Sequence, residues 1–325
     1  MKYRLISLLL LLSLLTSCAP SPSVNGDETM TVVTTTYPVY LFASAVTKDM
    51  EGIRVERLNT GSVSCLHDYT LSMTDMKKIE QADVIAMSGV ELEEFMQDAL
   101  AASDAAVIDC SVGAHLLENL SHHHREEDGE EEHGHEHGHD HGHWDPHYWM
   151  DPENAVIMVE NLLAGLSQAD SARAEEYRAN ALSALALLED WKSTFSDLLL
   201  KAAEEKGGFS VNGLITFHDG FQYFAHAFDL PLLESIEEEA GSEASAKEIV
   251  EITQLVNEHR IPVIFTEVNG SDATAKAIAR ETGCRVAQLS MVMDGPDDQL
   301  SRYYDAMMGN LTAVIGGFSG EEMTA

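Results

Sequence analysis

Basic residues are scarce in this chain. Only 19 Lys and Arg stand against 55 Asp and Glu over 325 residues, a net charge of −36. A surface that acidic repels a phosphate backbone and attracts cations, which excludes nucleic acid as a partner. Cysteine is scarce too: there are four, with no CxxC among them, and a thiolate zinc cluster is excluded with it. Beyond Cys18 the three remaining cysteines, Cys65, Cys110 and Cys284, are odd in number, so at least one stays unpaired or binds metal. Cys65 and Cys110 can pair only if their loops lie side by side. Neither an HExxH nor a serine or cysteine nucleophile motif is present, which points to a binding protein and away from an enzyme. The competing reading from another class is a zinc hydrolase with Glu267 as base and water in an open metal position. Past residue 17 no apolar run is long enough to span a bilayer.

The first residues carry their own signal. Lys2 and Arg4 precede an apolar run that closes on Leu15-Thr16-Ser17-Cys18. Residues 1–17 read as a secretory signal peptide, with Cys18 at a lipobox-like cleavage site where it would be acylated. Residues 18–30, with prolines, serines and a glycine, read as a flexible tether. The expected location is therefore extracytoplasmic, on the outer face of a bacterial cell membrane and held there by lipid alone.

From Thr31 onward short β-branched runs alternate with helical stretches. Strand patterns at 31–36, 53–59, 83–89 and 106–111 are separated by helical spacing at 38–45, 74–81 and 92–102. Asp151-Pro152-Glu153 is a helix start, and that helix should stop near Gly165. A second helix runs from about Asp170 to Lys206, long enough to cross the molecule. The rhythm resumes with strands at 209–217, 261–268 and 285–291 and helices at 220–228, 244–259, 273–282 and 303–315. The fold class is α/β: two βα lobes with parallel sheets, residues 31–165 and 208–325, joined by a long rigid helix (166–207), with a cleft between them. A monomer is expected.

What the chain has in excess is histidine. Between Ser121 and Trp144 stand nine: His122, His123, His124, His133, His135, His137, His139, His141 and His143, interleaved with acid and glycine. Such a run, 122–143, is a loose, low-affinity ligand array for a divalent metal. Three isolated histidines sit where ligands gather in open α/β sheets, beyond strand ends: His67 after the 53–59 strand, His147 after the histidine run, and His218 directly after the 209–217 strand. Three neutral imidazoles plus one oxygen make a common tetrahedral zinc environment. The fourth position falls to Asp294 first and Glu267 second, with water as the alternative; Asp294 and Glu267 are equally placed to orient a histidine. Asp68, Asp145 and Asp219 each adjoin a candidate ligand and can fix its tautomer. His115, His226 and His259 lack this placement.

These pieces come in a recognisable order. His67-Asp68-Tyr69 follows a glycine turn; Ala82-Asp83-Val84-Ile85 and Gly89 with Glu91-Leu92-Glu93 come next. The acidic histidine run follows, then Asp145-Pro146-His147-Tyr148-Trp149-Met150-Asp151-Pro152, Phe217-His218-Asp219 with Tyr223-Phe224, and Phe265-Thr266-Glu267. The set resembles the solute-binding lipoproteins of zinc and manganese ABC importers, over nearly all of the chain from Thr31. The resemblance implies metal held between two lobes and handed to an ABC permease driven by its ATPase. It implies His67, His147 and His218 as the first three ligands. The pattern departs from the family at Cys65-Leu66, where an Asp-Pro is usual, and at the late aspartate, where the chain reads Ser290-Met291-Val292-Met293-Asp294. Manganese carriers of the family have a carboxylate at the third position; histidine there favours Zn2+ as the cargo over manganese or iron. An adhesin or a metal buffer without a transporter is a further reading.

Overall fold

The computed structural model describes residues 29–62, 69–119, 143–205, 211–236, 245–268 and 270–320. Cys18 and the leader, Cys65 to Asp68 with His67, and the histidines from His122 to His141 lie outside them.

The first half is built from β1 (Met30–Thr34), α1 (Tyr37–Val46), β2 (Ile53–Arg57), α2 (Met73–Glu80), β3 (Val84–Met87), α3 (Gln97–Ala101) and β4 (Ala106–Asp109). Two long helices follow, α4 (Pro152–Ala169) and α5 (Ala174–Glu205). The second half runs β5 (Leu214–Thr216), α6 (Gln222–Ala227), β6 (Leu232–Ser235), α7 (Ala246–His259), β7 (Val263–Glu267), α8 (Ala273–Thr282), β8 (Arg285–Leu289) and α9 (Ser301–Ser319). Both sheets are four-stranded and parallel. Their orders, β2-β1-β3-β4 and β6-β5-β7-β8, are the same arrangement twice.

Side chains leave a strand on alternate faces, and here both faces are covered. Val32 and Val84 join a core shared with Leu214, Val263 and Phe265 of the other sheet. Their neighbours Val33 and Ile85 pack outward with Met96, and Ile215 and Ile264 pack outward with Ile252. One apolar core therefore runs through both lobes, with a smaller one on each outer face. Helix α5 lines the shared core. Tyr177, Ala181, Ala184, Leu188, Phe195 and Ala202 recur at three-, four- and seven-residue steps and are buried, one stripe along an axis of about 48 Å.

Several expectations need correction. Helix α4 starts where Asp151 caps Glu153 N at 2.8 Å, but it does not stop near Gly165; it continues to Ala169. Gly165 is there for packing, since a Cβ would fall 2.5 Å from Ile108 Cγ1 of β4. The stretch 92–102 is not one helix. Val90 and Glu91 take positive φ, a short 3-10 turn occupies Glu94–Met96, and only Gln97–Ala101 is α-helical. The cause is Glu93, whose carboxylate accepts from Ser88 N at 2.7 Å and Gly89 N at 2.9 Å and turns the chain back on the end of β3. The long helix begins with a 3-10 turn at Ser171–Arg173 and becomes α-helical at Ala174. Strand β6 was not expected at all: it is four half-buried residues at a sheet edge. Cys110 and Cys284 are free thiols, and Cys65 lies outside the described residues.

Candidate metal centre

In each sheet the order reverses between its first and third strands, and the crevice beyond their carboxyl ends is where such folds hold ligands. In the second sheet those strands are β5 and β7. His218 stands two residues past the end of β5 and Glu267 ends β7. The chain thereby sets His218 Nδ1 3.4 Å from Glu267 Oε1. Thr216 Oγ1 donates to His218 O at 2.9 Å and fixes the turn that carries the ring. Asp219 Oδ1 lies 3.6 Å from His218 Nε2.

His147 arrives from the other side, ahead of a 3-10 turn at Tyr148–Met150. Asp145 accepts from His147 N at 2.9 Å and lies 2.8 Å from His147 Nδ1 with the same oxygen. The segment is pinned from both lobes. Tyr148 Oη donates to Ser88 O at 2.6 Å, Trp149 Nε1 donates to Met291 O at 2.9 Å, and Tyr223 Oη donates to Asp145 O at 2.8 Å. The two imidazoles meet edge to face with centroids 5.3 Å apart, and both are buried, His147 at 4% and His218 at 1% exposure. One potential ligand atom from each of His147, His218 and Asp219 lies within 4.8 Å of the others.

Burial opposes the charged form of His147, but the hydrogen bond and charge of Asp145, with the charges of Asp219 and Glu267, outweigh it. The imidazole pKa is raised. Opposite charge near a partly desolvated ring has that effect.

The remaining candidates fall in different places. Asp294 borders an open cavity with Glu267, Met291 and Met293, yet its carboxylate is held by Arg57 Nη2 at 2.8 Å. Arg57 in turn stacks over Tyr37, 4.7 Å from its ring centre, and so bridges the two lobes at the rim. His143, last of the histidine run, is exposed beside Trp144 and 3.7 Å from Glu118 Oε1. His67, Asp68 and the rest of the run lie outside the described residues. Sequence reasoning missed Gly220, where a Cβ would fall 3.0 Å from His218 Cδ2, 3.1 Å from His147 Cδ2 and 2.3 Å from Met291 Sδ. A glycine straight after His218-Asp219 was the available signal.

A sequence profile of the family described as zinc-uptake complex component A, periplasmic (ZnuA), matches residues 32–316. The chain belongs to this family. It is 28% identical over 307 residues to the zinc-binding protein AdcA of Streptococcus pyogenes serotype M3, covering 90% of this chain and 56% of that protein. It is 28% identical over 300 residues to the high-affinity zinc uptake system protein ZnuA of Bacillus subtilis, covering 90% and 89%. The chain thus spans little more than half the length of the AdcA proteins it matches. Among solved structures, a crystal structure of ZnuA superposes with a TM-score of 0.72 at 22% identity, over 90% of this chain and all of that one. The solute-binding protein FpvC of P. aeruginosa, solved with Ni2+, gives 0.71 at 21%, over 92% of this chain and 100% of that one. At such identities the structures show the shared two-lobed fold. The family is one of metal-binding components of uptake systems, not enzymes, which removes the hydrolase reading.

Proposed function

We propose that this protein captures Zn2+ outside the cytoplasm, in the cleft between its lobes, and delivers it to an ABC permease. The observation that carries the reading is the pairing of carboxylates with buried imidazoles. Asp145 takes Nδ1 of His147, and Glu267 lies against Nδ1 of His218. On this reading the Nε2 of each ring goes to the metal, with Asp219 Oδ1 3.6 Å from that of His218, the arrangement in which an outer carboxylate fixes the tautomer and raises ligand basicity. Glu267 is thus an orienting group, and His67 is the third imidazole. A nitrogen-rich site suits zinc, whereas manganese favours harder oxygen donors. The zinc named in its relatives supports the same choice.

The fourth donor is a carboxylate oxygen. Asp219 already stands in the cluster. Asp294 is at the rim and must first give up Arg57, a partly exposed pair worth roughly 0–1 kcal/mol. Zinc titration of Asp219→Asn and Asp294→Asn separates them: the ligand is the one whose loss weakens binding by about tenfold or more. For the site itself, His147→Ala and His218→Ala should each lower zinc affinity by orders of magnitude. Near wild-type zinc binding in both would contradict the proposal.

The histidine run is assigned the gathering of metal at low affinity, and Cys18 the lipid anchor. Among the described residues no helix is long and apolar enough to cross a membrane. A permease and an ATPase encoded beside this gene are the expected partners.

A further inference from the structure

One buried acid outside the cleft is connected to it. Glu93 lies in the turn after β3 and is 2% exposed. Its carboxylate accepts from Thr35 Oγ1 at 2.6 Å, from Ser88 N at 2.7 Å and from Gly89 N at 2.9 Å. Thr35 follows β1 and Ser88 follows β3, so the acid ties together the carboxyl ends of the two strands where the first sheet reverses its order. The turn it holds is strained. Gly89, Val90 and Glu91 take φ of 82°, 55° and 62° in succession, a region that a β-branched valine rarely enters. Strain of this kind persists only where its surroundings over-determine it, and it gathers at functional sites. Ser88 carries the connection onward. Its N–H donates to Glu93, and its carbonyl accepts from Tyr148 Oη at 2.6 Å. Tyr148 is fully buried and directly follows His147. The 3-10 turn that Tyr148 opens folds back on that histidine, Met150 N donating to His147 O at 3.0 Å. The line runs from acid to imidazole through Glu93, Ser88, Tyr148 and His147.

We propose that Glu93 is a positioning residue of the zinc site, holding His147 in place through Ser88 and Tyr148. The inference rests on the reading that His147 ligates zinc; Glu93 itself is not a ligand. A carboxylate suits the place because the three groups around it all donate to it. Glutamine keeps the volume but faces one of the two backbone amides with another donor. Losing that bond lets the strained turn relax and shifts the carbonyl that Tyr148 needs. Zinc affinity then falls because the ring is no longer placed before the metal arrives.

The test titrates Zn2+ against a competing chelator in wild type, Glu93→Gln, Tyr148→Phe, His147→Ala and the double variants Glu93→Gln/Tyr148→Phe and Glu93→Gln/His147→Ala, with calorimetry reporting that each is folded. Glu93→Gln and Tyr148→Phe should each weaken zinc binding about three- to thirtyfold. Because they act on one line, their double variant should lose little more than the larger single loss. In the His147→Ala background Glu93→Gln should change the residual affinity by less than about twofold, since the ring it positions is gone. A merely structural role would weaken both backgrounds alike. Should Glu93→Gln fail to fold, Glu93→Asp, which keeps the charge but draws the oxygens back by one methylene, takes its place in the same comparisons. Wild-type zinc affinity in the Glu93 variant, additive losses with Tyr148→Phe, or an equal loss in the His147→Ala background overturns the inference and leaves the zinc reading standing. Wild-type zinc affinity retained by His147→Ala overturns the reading of His147 as a ligand, and the inference falls with it.

Discussion

His147 is where proton and metal compete. Burial disfavours its charge, but Asp145 at 2.8 Å, helped by Asp219 and Glu267, raises its pKa above the ordinary imidazole value. Zinc needs the neutral ring, so affinity should begin to fall while pH is still above ~6.5 and keep falling below it. Zinc titrations across pH check this; affinity flat down to about pH 5.5 would contradict it. The sign reverses for the metal-free protein. A raised folded pKa gives stability that is present below the unfolded value and lost as pH rises through the folded one. Removing the orienting carboxylate with Asp145→Asn should weaken zinc binding about 10–100-fold without unfolding the protein, read by the same titration. His147 and His218 were legible in the sequence because strand ends and a helix cap marked their places. Gly220 was overlooked: a glycine after His218-Asp219 reads as a turn, and only the structure shows that a side chain there would run into both rings.

At the scale of elements, the turn after β3 is governed by one buried acid. Glu93 is 2% exposed and accepts from Thr35 Oγ1 at 2.6 Å as well as from the two amides of Ser88 and Gly89. Burial outweighs these donors and raises its pKa from 4.5 to about 7. The stability it contributes is therefore full below the unfolded value and lost as pH rises through the window from about 4.5 to about 7. Thermal unfolding of Glu93→Gln should lack that slope, so that wild type loses melting temperature relative to the variant between pH 5 and 7 (roughly that window). Parallel slopes would contradict the assignment. The same residue explains why the 92–102 stretch misled: its helical spacing is real, but the Glu93 carboxylate spends the first turn closing a loop. Strand β6 escaped notice because four half-buried residues carry too short a pattern. Helix α4 ran past Gly165 because close packing on Ile108, not helix termination, calls for glycine there.

Across the whole molecule, two sheets with one strand order share one apolar core, with α5 along it. The parallel lobes and the long helix were readable from the alternation of short apolar runs with helical ones. The continuity of the core was not, since periodicity says which face is buried and not what it is buried against. A core common to both lobes predicts a single cooperative unfolding transition by calorimetry, shifted upward by zinc. Two transitions separated in temperature would mean lobes that fold independently. On the proposed reading the cleft, and not the histidine run, holds zinc tightly. Native mass spectrometry of the soluble chain lacking residues 122–142, exposed to equimolar zinc and manganese, tests it most directly. One zinc and no manganese per chain is the predicted result; a manganese-loaded or a metal-free chain would contradict it.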